Sequence, residues 1–230
     1  MEPRSIWLPK RLQTRTIEEV KRLLIITGPQ GSGNHLFSKV FATSEQTFGW
    51  SGLLDVIWQG HHEEPFAEYW QTPSLLSSFN WNQKDYYVTS VSCPYFFNGV
   101  PVVPDYAAFI EEASKYVDNI TIAIIGRDQN IVQLQQERVR GAPTLPLAKE
   151  TISYLFENFS CEFLSQELLY LYKQDYVAWV AKQLEWPLDR HSPLLDVILA
   201  EDANNKYVKQ SKGKLDEHII NASKNSFRTK

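Results

Sequence analysis

The stretch LLIITGPQGSGNHLFSKVFA, residues 23–42, combines the two patterns that best predict the fold. Its first five residues are apolar or β-branched, and such a run before glycine predicts a strand buried on both faces, as in a parallel sheet. Apolar residues then recur at helical spacing, at Leu36, Phe37, Val40 and Phe41. The glycines between the two patterns therefore lie in a strand-to-helix turn. Backbone N–H groups in such a turn, with the positive end of a helix behind them, bind phosphate.

The alternation of strand and helix continues along the chain. Strands are predicted at 86–92, 119–128 and 161–165, and helices at 16–22, 105–117, 130–141, 147–159 and 174–186. Strands that alternate with helices form a mostly parallel sheet covered on both faces, so we expect an α/β fold of three layers. We expect the domain to span residues 24–200, between a basic segment at 1–23 and a polar, basic tail at 201–230.

The carboxyl ends of the predicted strands meet at one edge of the sheet, where ligands of such folds bind. This edge brings together residues 28–35, 89–92 and 126–128. Arg127 lies at the end of its strand, and Arg138 and Arg140 follow in the next helix. Arginines in these positions can clamp a polyphosphate and neutralise charge that develops during transfer. Surface ion pairs are the other interpretation of Arg138 and Arg140.

The composition indicates a globular protein. The chain has 230 residues, of which 43% are hydrophobic, and no apolar run approaches the length that spans a membrane. Its first residues lack the apolar core of a signal peptide. The two cysteines, Cys93 and Cys161, have no Cys-x-x-Cys spacing, which argues against a disulfide scaffold or a zinc site. We therefore expect a cytoplasmic protein without membrane contact and without a metal bound by the protein.

The charge is unevenly distributed. The formal net charge is −4, yet residues 1–23 carry six Lys or Arg against three Glu, and residues 206–230 carry seven against two acids. The part between them has ten basic and 22 acidic residues. Basic ends on an acidic body favour contact with a polyanion such as a nucleic acid. Polar tails that serve solubility are the simpler interpretation.

The glycine-rich turn resembles the phosphate-binding loop of small P-loop kinases, which reads G-x-x-G-x-G-K-S/T after an apolar strand. Gly28, Gly31 and Gly33 match this pattern. The resemblance implies a three-layer P-loop fold, ATP and Mg²⁺ as cofactors, and phosphoryl transfer to a hydroxyl group.

The sequence departs from the kinase pattern at two positions. Asn34 replaces the lysine that reaches the β- and γ-phosphates, and His35 replaces the hydroxyl that binds magnesium. Asn34 can donate hydrogen bonds but brings no charge, and imidazole is not an ordinary magnesium ligand. We expect both residues to remain at the phosphates, with Ser32 as a further donor and the arginines supplying the missing charge.

Sulfotransferases that use 3′-phosphoadenosine 5′-phosphosulfate carry a related loop, often G-x-x-R-S-G-T-S/T-L-L, which lacks the kinase lysine. Four residues fall on this pattern, namely Gly28, Ser32, Gly33 and Leu36. Gly31 departs from it, because it replaces the basic residue of the loop.

Two further stretches resemble the sulfotransferases. TIAIIGRDQNIV (121–132) is similar to the segment whose arginine binds the 3′-phosphate of the cofactor, which would give Arg127 that role. FLSQELLYLYKQDYVAWVAKQLEWPLD (163–189) is similar to their late S-x-E-x-L segment, helix and L-x-x-P. The catalytic histidine of this family would fall near Ser92 and is absent.

The stretch WQGHHEEPFAEYW (58–70) is rich in acids and histidines. A hydroxyl acceptor needs a carboxylate or imidazole within hydrogen-bond reach. The candidates for this base are Asp55, His61, Glu63 and Glu64, and the sequence does not choose among them. Glu63 represents them in the predicted catalytic set, beside His35 and Arg127. Adjacent His-His-Glu-Glu does not place ligands on one face, so no metal site is expected here.

Aromatic residues are dense between positions 48 and 87. They can stack on a planar acceptor such as a nucleobase, or they can pack the core. The residues concerned are Trp50, Trp58, Tyr69, Trp70, Trp81, Tyr86 and Tyr87.

The sequence thus leaves three functions open. The first is a kinase-like transferase that phosphorylates a nucleoside or a modified base in DNA. Phage enzymes that phosphorylate hydroxymethylated pyrimidines in DNA have this architecture, although no motif in this sequence singles them out. The second is a sulfotransferase-like enzyme with an atypical base. The third is a nucleotide-binding protein without catalysis, since Asn34 and His35 are what a decayed loop would show.

Overall fold

A computed structural model describes residues 20–50, 52, 64–97, 99–141 and 143–200, without the side chains of Val139 and Arg140. The strands in these ranges are β1 (Arg22–Pro29), β2 (Thr47–Phe48), β3 (Tyr86–Cys93), β4 (Tyr95–Phe97), β5 (Val100–Val102), β6 (Asn119–Gly126) and β7 (Cys161–Ser165). The α-helices are α1 (Asn34–Phe41), α2 (Tyr106–Ala113), α3 (Gln129–Arg140), α4 (Leu145–Asn158), α5 (Gln166–Gln183) and α6 (Pro193–Ala200). Two 3₁₀ helices cover Glu68–Trp70 and Pro73–Ser78.

Five strands form one parallel sheet in the order β2–β3–β1–β6–β7, with β1 at its centre. Arg22 at the start of β1 pairs with Tyr86 of β3 on one side and with Asn119 of β6 on the other. β4 and β5 form a separate antiparallel hairpin that directly follows β3. The predicted α/β class is confirmed.

The sheet is covered on both faces because the side chains of β1 alternate between two apolar cores. Leu24 and Ile26 pack with residues of α1, α5 and α6, whereas Leu23 and Ile25 pack with residues of α2, α4 and the 3₁₀ segments. All four side chains are at most 1% exposed. This double burial explains why the strand reads as a continuous apolar run, and it confirms the three layers.

The connections of the sheet place a crevice beside the glycine-rich turn. β1 leads through α1 to β2 at one edge, and β6 leads through α3 and α4 to β7 at the other. Adjacent strands whose connections diverge in this way leave a crevice outside their carboxyl ends. Gly28 and Arg127 therefore lie at the same switch point, as the sequence predicts.

Several boundaries differ from the prediction. A helix was predicted at 16–22, but Arg22 is the first residue of β1. Residues 16–19 lie outside the described part. α5 begins at Gln166, where Ser165 Oγ accepts a hydrogen bond from the backbone N–H of Leu168 and caps it. The backbone of Lys173 is not helical (φ 48°, ψ −121°), so a kink divides α5 directly before the predicted start at Gln174.

The short strands β2, β4 and β5 were not predicted, since two or three residues show no period. α6 was not predicted either, because its residues are apolar except for Asp196 and show no polar face. The basic tail at 201–230 lies outside the described residues.

Within the described ranges, no helix combines the length and the apolar character needed to cross a membrane.

Candidate phosphate and acceptor site

Two glycines shape the turn between β1 and α1. Gly31 and Gly33 have φ angles of 86° and 106°, which the backbone of L-residues with a side chain rarely adopts. A Cβ atom on Gly33 would lie 2.3 Å from Gln166 Oε1, and one on Gly31 would lie 2.7 Å from Gln135 Oε1. Both positions favour glycine for the backbone angle, and a larger residue would also have to displace the end of a glutamine side chain.

The first turn of α1 suits an anion. Its N-cap is Gly33, so no side chain caps the first N–H groups, and no acidic residue lies in the first turn. Asp105, Asp128 and Ser165 cap α2, α3 and α5 with their own oxygens, whereas α4, like α1, has no side-chain cap. The leading N–H groups of a helix have no partner within the helix and carry the positive end of its dipole. A phosphate at this position would satisfy them.

Asn34, at the position of the kinase lysine, is turned into the protein. The residue is 5% exposed. Its Nδ2 donates to the carbonyl of Gly28 (3.2 Å) and to Ser92 Oγ (3.3 Å), and its Oδ1 accepts from Ser32 Oγ (2.9 Å). Ser32 is fully buried, so its hydroxyl is likewise committed to the loop. Both residues hold the turn closed and join it to the end of β3.

We expect Asn34→Lys to destabilise the protein rather than restore a kinase lysine. The change removes the bonds to Gly28, Ser32 and Ser92 and buries an ammonium group, which costs about 2–4 kcal/mol of unfolding free energy. Urea denaturation measures this loss, and titration with ATP measures affinity. Gln46→Lys adds the same charge at an exposed position and should change neither value. An Asn34→Lys protein of normal stability that binds ATP tenfold more tightly would show that residue 34 faces the phosphates.

Side chains that follow β6 hold two carbonyls of the loop. Arg127 Nη1 donates to the carbonyl of Gly31 (2.5 Å) and to Gln135 Oε1 (3.1 Å). Gln136, fully buried, donates from Nε2 to the carbonyl of Gln30 (2.9 Å). Because C=O and N–H of a trans peptide point in opposite directions, these bonds turn the N–H groups of Gly31 and Ser32 away from the side chains that hold the carbonyls. The N–H of Ser32 donates to the carbonyl of Pro29 (3.0 Å) within the turn. Arg127 thus contacts the glycine-rich loop, and its role toward a phosphate stays a prediction.

The other two predicted arginines are placed differently. Arg138 is exposed on α3. Two other residues of this helix face the loop: Gln135 accepts from Arg127, and Gln136 donates to the carbonyl of Gln30. The side chain of Arg140 lies outside the described part. Sequence reasoning missed the glutamines, because glutamine is common on helix surfaces and nothing in its spacing points to a loop contact.

His35 and Glu64 form a pair beside the glycine-rich loop. His35 Nε2 lies 2.9 Å from Glu64 Oε1, and Ser90 Oγ donates to Glu64 Oε2 (3.2 Å). The Glu64 side chain is 3% exposed, whereas that of His35 is 31% exposed. The edge of Trp50 packs against the imidazole at 5.5 Å between ring centroids, and its Nε1 donates to Ser38 Oγ of α1. The imidazole is thus held between a carboxylate and an indole.

Glu64 is one of the four residues that the sequence offers as a base, and it is the one the structure places at the loop. The other three, Asp55, His61 and Glu63, lie outside the described residues. The role predicted for Glu63 therefore stays a prediction.

A cleft of about 1000 Å³ opens on the far side of Glu64. Aromatic side chains dominate its lining, namely Phe48, Trp50, Phe66, Tyr69, Phe79, Phe96 and Phe97. Two carboxylates, Glu64 and Glu68, and one ammonium group, Lys84, also line it. Lys84 Nζ donates to the backbone carbonyl of Glu45 (2.6 Å). Because Glu64 lines this cleft and also contacts His35, the cleft and the glycine-rich loop adjoin.

Only part of the predicted stacking set reaches this cleft. Trp50 and Tyr69 line it. Trp70 stacks on Phe109 in the core at 3.8 Å between ring centroids, and Trp81 and Tyr87 are buried, while Tyr86 packs against Trp186. Trp58 lies outside the described part. Core packing therefore accounts for most of the aromatic residues at 69–87.

Neutral groups lie beneath the loop. Thr27 Oγ1 donates to the carbonyl of Val91 (2.8 Å) and shares a hydrogen bond with the Tyr106 hydroxyl (2.6 Å). Burial raises the pKa of Tyr106 well above its usual value and also raises the pKa of the Cys93 thiol. Both groups stay protonated near neutral pH, so Cys93 is not suited to act as a nucleophile.

Among the described residues, the side chains at the loop do not form a metal site of their own. His35 stands where the kinase hydroxyl would be, and in the described ranges no group of three or more His, Cys, Asp and Glu could hold a metal ion. Magnesium bound with a nucleotide takes most of its ligands from phosphate and water.

No protein-family model and no curated protein matches this chain. Among solved structures, it is similar to an unliganded sugar kinase from Janibacter sp. HTCC2649, at 10% sequence identity and a TM-score of 0.42. The match covers 72% of this chain and 95% of that chain. A likeness at this identity and TM-score bears on neither activity nor substrate.

Proposed function

We propose that this chain is a kinase-like transferase that moves a phosphoryl group from ATP to a hydroxyl acceptor. One observation carries the proposal: Glu64 lines the aromatic cleft and contacts His35 at the start of α1. A donor phosphate at the helix N-terminus and a hydroxyl in the cleft would then be neighbours. Transfer needs this proximity more than any other contribution of the protein.

The loop would hold the phosphates of ATP through its backbone. The uncapped first turn of α1 and the glycines at 31 and 33 support this role. Arg127 replaces the charge of the missing lysine from the neighbouring strand, because a guanidinium brings five N–H donors and a permanent charge. Magnesium arrives with ATP and neutralises phosphate charge.

The acceptor would be a planar ring that carries a hydroxyl group, such as a nucleoside or a hydroxymethylated base in DNA. Aromatic side chains around the cleft favour stacking on a flat ring. The carboxylates of Glu64 and Glu68 disfavour a second anionic group in the cleft, and this argues against a phosphorylated sugar. The basic segments at 1–23 and 206–230 favour a nucleic acid as the larger partner.

Transfer of labelled phosphate tests the proposal. The full chain is incubated with magnesium and ATP that is labelled at the γ position, together with DNA containing hydroxymethylated pyrimidines. Unmodified DNA of the same sequence is the matched control, since it differs only by the acceptor hydroxyl. Nucleosides and simple sugars complete the series. Label on the hydroxymethylated DNA or on nucleosides supports the proposal, whereas label only on sugars would contradict the acceptor class. Transfer from labelled phosphosulfate alone would contradict the kinase.

A further inference from the structure

We infer that Gln166 is a phosphate-binding residue, whose side-chain amide donates a hydrogen bond to the phosphate at the first turn of α1. The inference rests on the proposed binding of phosphates by the glycine-rich loop and names a further donor at that site. Gln166 follows β7, the strand at the far edge of the sheet, and only the fold brings it to the loop.

The amide of Gln166 lies against the N-cap of α1. The residue is 5% exposed, and its side-chain amide occupies the space that a Cβ on Gly33 would fill. The side chain of an N-cap residue starts from this Cβ and meets the leading N–H groups of its helix. Gln166 therefore lies at the uncapped end of α1, beside the N–H groups that suit an anion.

The side-chain oxygen of Gln166 is buried and has no hydrogen-bond partner among the described residues. A buried polar atom of this kind costs free energy unless a ligand or a water molecule satisfies it. A half-turn of the amide about its last bond exchanges Oε1 with Nε2, and since Oε1 makes no hydrogen bond, the half-turn breaks none there. The side chain then presents N–H donors to a phosphate, whose ionised oxygens only accept.

The first turn of α5 holds Gln166 in this place. Ser165 Oγ caps the helix and donates to Glu167 Oε2 (3.0 Å). Glu167 Oε1 accepts from the backbone N–H of Asp128 (2.7 Å), the residue after Arg127. These bonds tie the start of α5 to the segment that carries Arg127, so both side chains reach the glycine-rich loop from fixed positions.

Gln166 and Arg127 would together replace the lysine that the loop lacks. Asn34, at the position of that lysine, is turned into the protein. Arg127 supplies charge near Gly31, whereas Gln166 supplies neutral donors near Gly33. Loss of the amide should therefore weaken the binding of any ligand that carries the phosphates, whatever its base.

Calorimetric titration of variants of the full chain tests this role. Gln166→Met removes the amide at a similar volume and should raise the dissociation constant for ATP with magnesium by roughly 10- to 100-fold, the effect of losing a hydrogen bond to a charged group. Tripolyphosphate, which has neither base nor sugar, should show the same loss. Gln166→Glu keeps the shape but adds a carboxylate that repels the phosphates, so it should lose at least as much affinity. Gln183→Met, at the exposed far end of α5, is the matched control and should bind like the wild type.

Stability without ligand separates a phosphate contact from a purely structural role. Because Oε1 has no partner among the described residues, Gln166→Met should not lower the free energy of unfolding in urea. A less stable variant that binds both ligands normally would make Gln166 a structural residue and overturn the inference. A loss for ATP alone would place the amide at the base or sugar and overturn it as well. If the wild type binds neither ligand, the proposed function fails together with the inference. If the wild type binds both and Gln166→Met binds them equally well, only the inference fails.

Discussion

Gly33→Asp should raise the dissociation constant for ATP by at least ~100-fold, which corresponds to about 2.7 kcal/mol. The new carboxylate would lie at the N-cap of α1, where it accepts hydrogen bonds from the N–H groups that otherwise meet a phosphate. Its charge would also repel the phosphates. Aspartate is a favoured N-cap, which offsets part of the strain that a φ of 106° and the contact with Gln166 impose. Isothermal titration with ATP and magnesium measures the affinity, and circular dichroism checks the fold.

Gly141→Asp is the matched control for this variant. Gly141 also has a positive φ, 75°, but a Cβ there would meet no atom within 4 Å. The residue is the C-cap of α3. The substitution should cost about 1 kcal/mol of unfolding free energy and leave the affinity for ATP unchanged. Equal affinities of the Gly33→Asp and wild-type proteins would mean that the loop does not bind the phosphates.

Arg127→Met should lower kcat by roughly 1,000-fold, the order of effect expected when a cation that neutralises the transferred phosphoryl group is removed. The change also frees the carbonyl of Gly31 from its bond to Nη1, so KM for ATP should rise as well. Arg127→Lys keeps a charge but loses the planar fork, and it should recover only part of the activity. Steady-state kinetics with varied ATP separate the two effects.

Arg190→Met provides the comparison for Arg127, because Arg190 forms an exposed ion pair with Asp175 and lies outside the proposed site. Its kinetics should match those of the wild type. If Arg127→Met raised KM without lowering kcat, Arg127 would serve only to hold the loop and would not act on the transferred group.

The sequence predicted most of the fold because its long strands are buried on both faces. β1 and β6 read as continuous apolar runs, and α3 ends at Gly141 in the left-handed conformation, as a helix followed by glycine should. The strands that were missed form through pairing with neighbouring strands and show no hydrophobic period of their own. Thr47 and Phe48 form a strand only because they pair with Tyr86 and Tyr87 at the edge of the sheet.

The backbone of the site could be predicted from the sequence, whereas the directions of its side chains could not. Backbone geometry follows from local sequence, so the glycine-rich turn and the position of Arg127 were foreseeable. The direction of a side chain depends on distant partners. Asn34 was expected at the phosphates, but Ser92 at the end of β3 and Gly28 hold it inside, and no local pattern reports that contact. The pairing of His35 with Glu64 likewise joins positions that only the fold brings together.

Binding of the phosphates of ATP by the glycine-rich loop is tested most directly by comparing the affinities of three ligands. The full chain is titrated by calorimetry with ATP and magnesium, with adenosine 3′,5′-bisphosphate and with inorganic phosphate, in parallel with Gly33→Asp. ATP with magnesium should bind most tightly, and Gly33→Asp should lose this binding. Tight binding of the bisphosphate alone would contradict the account and make Arg127 a ligand of a 3′-phosphate, as in the sulfotransferases.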